Sequence, residues 1–282
     1  MRFATLVDGE RAVLALVRGD RLLPLDGPDA PLRSLREVAA SGADVVDRVR
    51  PWADRQPAGA WRPLADAVLG PAVPEPGAIY TIGLNYVAPG EPADAAPSRP
   101  LVYAKLPSSV GGHAATVSWD RTLTANVDAE VELGVVIGIR ARAVAAADAM
   151  RHVFGYTCVN DMSSRDTWLD GDQWLLGKSM AGFCPVGPFV ATPDELPTGP
   201  LRLGCTVNGV AIQDGSTADM RFSIAEVVAF LSRHVTLHPG DLIATGTPAR
   251  LDAPPGPDRH LEPGDRVTVW IDGLGELTTV IA

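Results

Sequence analysis

Cysteine is scarce in this chain of 282 residues: Cys158, Cys184 and Cys205 are all it has. No two of them form a CxxC pair, and an odd count argues against a disulfide framework. Free, buried thiols in a reducing cytoplasm are the simplest expectation. Long apolar runs are also missing. None approaches the ~20 residues of a membrane span, so no membrane partner is expected. The opening MRFATLVDGERAV has no signal-peptide core and reads as a strand. Positive charge is short as well. With 24 Lys and Arg against 34 Asp and Glu, the formal net charge is −10 and the pI is near 4.9. Nucleic acid and anionic surfaces are therefore poor partners. The chain shows no internal repeat and no low-complexity tract.

What is present is apolar material, 46% of the residues, enough for one large domain or one domain with a small appendage. Residues 2–24 alternate apolar and polar around Arg18-Gly19-Asp20, which predicts a hairpin. Residues 34–53 have helical periodicity. The punctuation LGPAVPEPGA then marks a boundary, with a small α/β unit over 1–72 and a larger one over 73–282. Strands are expected at 78–85, 101–106, 127–139 and 154–162, and a helix at 143–153. The stretch 87–100, almost all Pro, Gly, Ala and acids, is a long loop, either a lid or disordered. Asn208-Gly209 between apolar alternations signals a hairpin. Ser223 with Glu226 three residues on is a capping box for a helix over 223–235. Asp272-Gly273 turns a closing hairpin. Strands outnumber helices and hairpins join many of them. The expected class is α+β, β-rich and mostly antiparallel, with a few covering helices.

The stretch VDAEVELGVVIG places Asp128, Glu130 and Glu132 at every second position before a β-branched run. In one continuous strand they share a face, with Val127, Val131 and Leu133 on the other. Like charges repel, and burial adds to the cost. Two accounts are open: a solvated edge whose acids deter aggregation, or a site for a hard divalent cation that takes oxygen ligands. Asp161 in VNDMSSRD is open in the same way, as a helix cap or as a third oxygen ligand. Arg165 and Asp166 beside it offer a local ion pair.

Six stretches occur in one order over about residues 78–248: IYTIGLNY, VDAEVELGVVIG, GYTCVNDMSSRD, QWLLGKSMAGFCPVGP, VNGVAIQDGSTADM and HPGDLIATGTP. Together they resemble the fumarylacetoacetate hydrolase superfamily, its acylpyruvase and oxaloacetate decarboxylase branch. The resemblance implies a mixed β-sandwich roll, a homodimer, and Mg²⁺ or Mn²⁺ (Ca²⁺ as a further candidate) held by Glu130, Glu132 and Asp161. It implies that Lys178 is the active-site lysine and that Asp128 is a neighbour of the site. Tyr86, Gln213, Thr245 and Thr247 would lie against substrate, and Trp168 stands where the family commonly has a Gln that contacts it. The implied substrate is a small 2-oxo acid or 1,3-dicarbonyl acid, cleaved at a C–C bond through an enolate.

The chain departs from the family in its lid. Where hydrolases often read LNYRDHAAE it reads LNYVAPGEP, with Pro89 and Pro92 at the places of a His and an acid that act as a pair. Glu91 is close but lacks that partner, and His113 is a candidate from another loop. Arg250 stands where a Gly is common. Without the pair, activation of water loses about 10²–10⁴ in rate. Hydrolysis therefore competes with decarboxylation, isomerisation or tautomerisation, another lyase step, and a ligand-binding role without turnover.

Overall fold

The apolar alternation at the start of the chain makes three strands, one more than a hairpin: β1 (Arg2–Asp8), β2 (Arg11–Arg18) and β3 (Arg21–Pro24). The extra reversal is at Gly9, whose φ of 64° suits glycine. The structure is a computed structural model that describes residues 1–88, 90–92, 97–166, 173–251 and 260–282. The helical stretch breaks at Ser41-Gly42 into α1 (Leu35–Ala40) and α2 (Val45–Asp54).

Further along come β4 (Ile79–Gly83), β5 (Leu101–Lys105), β6 (Val127–Asp128), β7 (Val131–Ile137), β8 (Val153–Asn160) and β9 (Cys184–Ala191). Two short helices interrupt them, α3 (Ala146–Ala149) and α4 (Trp174–Lys178). The remainder is β10 (Arg202–Val207), β11 (Val210–Ser216), α5 (Ile224–His234), β12 (Leu242–Ala244), β13 (Arg266–Ile271) and β14 (Gly275–Ile281). No helix of the described residues is long and apolar enough to cross a membrane.

One large mixed sheet runs in the order β3-β2-β1-β9-β8-β7-β12-β4-β5. The leading strands are part of it: β1 pairs antiparallel with β9, Phe3 opposite Val190. A second sheet has the order β11-β10-β13-β14. The two sheets face each other across an apolar core that includes Leu133 and Val135 of β7 and Cys205, Val267 and Leu277 of the second sheet. The other face of the large sheet is covered by α1 and α2, where Val38, Val49 and Trp52 meet Phe3, Val136 and Val190. The architecture is the expected α+β one, β-rich, a sandwich of sheets with few helices. Strand β7 is buried along its whole length, which explains its near-continuous apolar run.

The three cysteines sit in this interior, free and buried. Burial pushes the thiols of Cys184 and Cys205 up to about 12. Local signals read from the sequence hold where they are self-contained. Asn208-Gly209 turns β10 into β11 with positive φ at both residues. Ser223 and Glu226 form the capping box of α5. Ser223→Ala is expected to cost about 1 kcal/mol, read as a lowered midpoint in denaturant unfolding with an unchanged slope.

Candidate active site

The expected carboxylate strand over 127–139 is two strands. Strand β6 pairs with Ser163–Ser164, and β7 pairs with β8. Ala129 and Glu130 lie in the gap between them. Side chains and a neighbouring turn supply the hydrogen bonds that a ladder would have given. The Glu130 N–H donates to Asn160 Oδ1 at 3.2 Å and the Val131 N–H to Gln213 Oε1 at 2.9 Å. The Glu130 carbonyl accepts the Asp161 N–H at 2.9 Å. The gap tucks Glu130 against the end of β8, where Asp161 follows. One carboxylate oxygen from each of Glu130, Glu132 and Asp161 then lies within 4.8 Å of the others.

Each acid is anchored differently. Asp161, 0% exposed, lies between two ammonium groups. Lys105 reaches its Oδ1 at 2.6 Å and also the Met162 carbonyl at 3.0 Å. Lys178 reaches its Oδ2 at 2.5 Å, Ser163 Oγ at 2.9 Å and Glu130 Oε2 at 3.5 Å. Burial alone would raise the Asp161 carboxyl, yet the two lysines hold it below the usual carboxylate range. Burial opposes charge on Lys178 too, but Asp161, Glu130 and Glu132 raise it above an ordinary lysine, so its ammonium persists at neutral pH. Glu132 is pushed well up by burial and by Asp161. Its Oε2 accepts the Gly246 N–H at 2.9 Å. Gly246 has φ of 100°, and a Cβ there would stand 2.8 Å from Asn85 Cβ and 2.9 Å from the Ile82 carbonyl oxygen. Only glycine brings that N–H to Glu132.

The acids form part of the wall of a cavity of about 600 Å³. Lys178, Tyr86, Gln213 and Thr247 all line it. Gln213 and Thr247 are tied to each other, Nε2 to Oγ1 at 2.7 Å, and Thr247 Oγ1 donates to the Val131 carbonyl at 2.8 Å. They brace the wall behind the acids. Thr245 differs from expectation: its hydroxyl donates to the Leu133 carbonyl at 2.9 Å, it is 1% exposed, and it is not among the described residues lining the cavity. Trp168 lies outside the described residues. His113 is not among the described residues lining the cavity, and its Nδ1 accepts the Thr278 N–H on β14.

Arg165 does not pair with Asp166. It donates from Nε to Asp128 Oδ2 at 2.7 Å and from Nη2 to Glu130 Oε1 at 2.5 Å. Asp166 accepts from the segment 124–126 instead, through Thr124 Oγ1 at 3.1 Å and the Ala125 N–H at 3.2 Å. Asp128 is thus a rim residue that also meets His260 Nδ1 at 2.7 Å and Arg250 Nη1 at 3.6 Å. Burial works against its charge, and Arg165 with His260 holds it below the ordinary range. Glu91 also faces the cavity, paired with Arg221 and accepting the Ala88 N–H at 2.9 Å. Sequence reasoning missed Lys105 and Arg221. A charge closing the apolar strand LVYAK was the available signal for the first, and the second had none.

This geometry accords with the comparisons. The chain matches the family model for the fumarylacetoacetate (FAA) hydrolase C-terminal domain over residues 78–282. An uncharacterized protein of Staphylococcus aureus (strain USA300) is 40% identical over 213 residues, 75% of this chain and 71% of that protein. Among solved structures, fumarylacetoacetate hydrolase from the psychrophile Exiguobacterium antarcticum superimposes with a TM-score of 0.86 at 29% identity, covering 100% of this chain and 99% of that one. A putative HpcE protein from Mycobacterium smegmatis gives 0.83 at 33%, with 100% of both chains covered. Maleylpyruvate hydrolase from Sphingobium sp. SYK-6, in complex with manganese(II) and pyruvate, gives 0.81 at 28%, with 100% and 99% covered. The chain belongs to the fumarylacetoacetate hydrolase family.

Lys105→Met leaves the buried Asp161 carboxylate short of a partner. It is expected to destabilise the fold by about 3 kcal/mol or more. In denaturant unfolding, Lys105→Met combined with Asp161→Asn should cost less than the sum of the two single changes, the signature of a contacting pair.

Proposed function

We propose that this protein is a divalent-metal-dependent enzyme acting on a C–C bond of a 2-oxo acid or 1,3-dicarbonyl acid, broadly a hydrolase. The observation that carries this reading is the convergence of Glu130, Glu132 and Asp161 on the wall of a cavity beside a buried lysine. The donor set fits the cation: three carboxylate oxygens and no sulfur or imidazole suit Mg²⁺ or Mn²⁺, with Ca²⁺ also compatible, and the cavity leaves room for the remaining ligands. When bound, such a cation polarises a substrate carbonyl and favours the enolate beside it.

The chain's own residues do the rest. Lys178 stays cationic and sets positive charge where an oxyanion develops. Arg165, fixed by Asp128 and Glu130, adds a second oriented cation at the wall. In hydrolysis of an acylpyruvate, water oxygen adds to the acyl carbonyl and the C–C bond breaks. Its electron pair passes to the pyruvate fragment, which takes a proton at carbon, and the acyl group leaves as an acid.

A second reading has its own support. Among the described residues lining the cavity none is a histidine. Glu91 is held below the usual carboxylate range, first by the Ala88 N–H and then by Arg221, which makes it a weak base. Decarboxylation, isomerisation or another lyase step, needing no activated water, fits that wall. The structural relatives include 5-carboxymethyl-2-hydroxymuconate delta-isomerase from Mycobacterium smegmatis, at 26% identity and a TM-score of 0.77.

Oxaloacetate and acetylpyruvate, incubated with Mg²⁺ or Mn²⁺ and followed by mass, separate these readings. Two acids mean hydrolysis, CO₂ means decarboxylation, and unchanged mass means isomerisation. Turnover is expected to need the metal and to fall to background in Glu130→Ala. Metal-independent turnover, or binding of ligand without turnover under every metal tried, would overturn the proposal.

A further inference from the structure

Two elements flank Asp161, and each delivers an aromatic ring together with an ammonium. On β5, Tyr103 and Lys105 are two residues apart and share a face. On α4, Trp174 and Lys178 are four apart and share a face. Both ammonium groups end on Asp161. The two rings meet as well, stacked with centroids 4.7 Å apart and planes 24° from parallel. Both line the cavity and both are only half-buried.

The stack is built to stay in place. Strand β4 pairs Thr81 with Tyr103 and ends two residues on in Gly83, where an added Cβ would stand 2.6 Å from Tyr103 Cε2. The absence of that atom leaves room for the edge of the ring. Where β5 ends, the Leu106 N–H donates to Ser179 Oγ just past α4, at 3.0 Å, so the two elements that carry the rings are joined. Two residues of strand and four of helix each advance about 6–7 Å along the backbone, and the two rings line the same cavity as the acids.

We propose that Tyr103 and Trp174 form an aromatic shelf that selects substrates whose acyl group carries a flat, conjugated substituent, such as an aryl ring. The proposal rests on the reading of the site given above and names the substrate class within it. A 2-oxo acid head at the acids places the far side of its acyl group over the stack. Offset stacking on a ring pair rewards a planar π-system beyond the area it covers, whereas a methyl group leaves the shelf open.

The test compares benzoylpyruvate with acetylpyruvate, which differ only in that substituent, by calorimetric binding and by turnover with Mn²⁺. Wild type is expected to bind benzoylpyruvate about tenfold tighter or more. Trp174→Leu keeps an apolar side chain but removes the plane, and should bring the ratio of the two constants close to one. Trp174→Phe should restore most of it. Tyr103→Leu should act as Trp174→Leu does, and its failure to fold, seen by thermal unfolding, would leave the two tryptophan variants to decide. A ratio unchanged in Trp174→Leu, or a wild type with no aryl preference while acetylpyruvate is bound and turned over, would overturn the shelf and leave the functional reading intact. Binding of neither acid would overturn both.

Discussion

Asp161 held between Lys105 and Lys178 is the interaction on which the rest of the site depends. A buried carboxylate is costly by itself and is stabilised here by two buried ammonium groups with direct hydrogen bonds. Each lysine comes from a different element, so the carboxylate also fixes how β5 and α4 sit against the end of β8. The same contact makes a cluster of three acids tolerable. Glu130 shares Lys178 and takes Arg165, while Glu132 leans on a backbone N–H that only a glycine can present.

Positive and negative groups around the cavity are interlocked rather than segregated. Arg165 joins Asp128 to Glu130, Asp128 gathers His260 and Arg250 at the rim, and Arg221 holds Glu91. Such cross-linked charges orient one another and leave little freedom for any single group to act as a base. Lys178, Arg165 and Arg221 thus each face the cavity already paired with a carboxylate.

Much of this was legible in the sequence, for identifiable reasons. Features settled by neighbours in the chain were readable: the Asn208-Gly209 turn, the Ser223 box, the excess of strands, and the acids and lysine carried by ordered motifs. What escaped depends on partners far away in sequence. The break between β6 and β7 arises because Asn160, thirty positions on, takes the Glu130 N–H. Alternation alone could not reveal it. Arg165 turned from its neighbour Asp166 because Asp128 and Glu130 were brought beside it by pairing of β6 with Ser163–Ser164. Thr245 faces a strand carbonyl for a similar reason, since β12 lies directly against β7. Lys105 looked like an ordinary strand end until the fold set a carboxylate against it.

The three thiols have a consequence of a different kind. They sit on β8, β9 and β10, one on each of three strands spread over both sheets, and all are shielded from solvent. Thiol reagents attack the thiolate, and burial suppresses that form at all three. Alkylation of the native protein must therefore wait for the sandwich to open. Its rate is a built-in clock of that opening, with each modified strand reporting which part of the interior parted first.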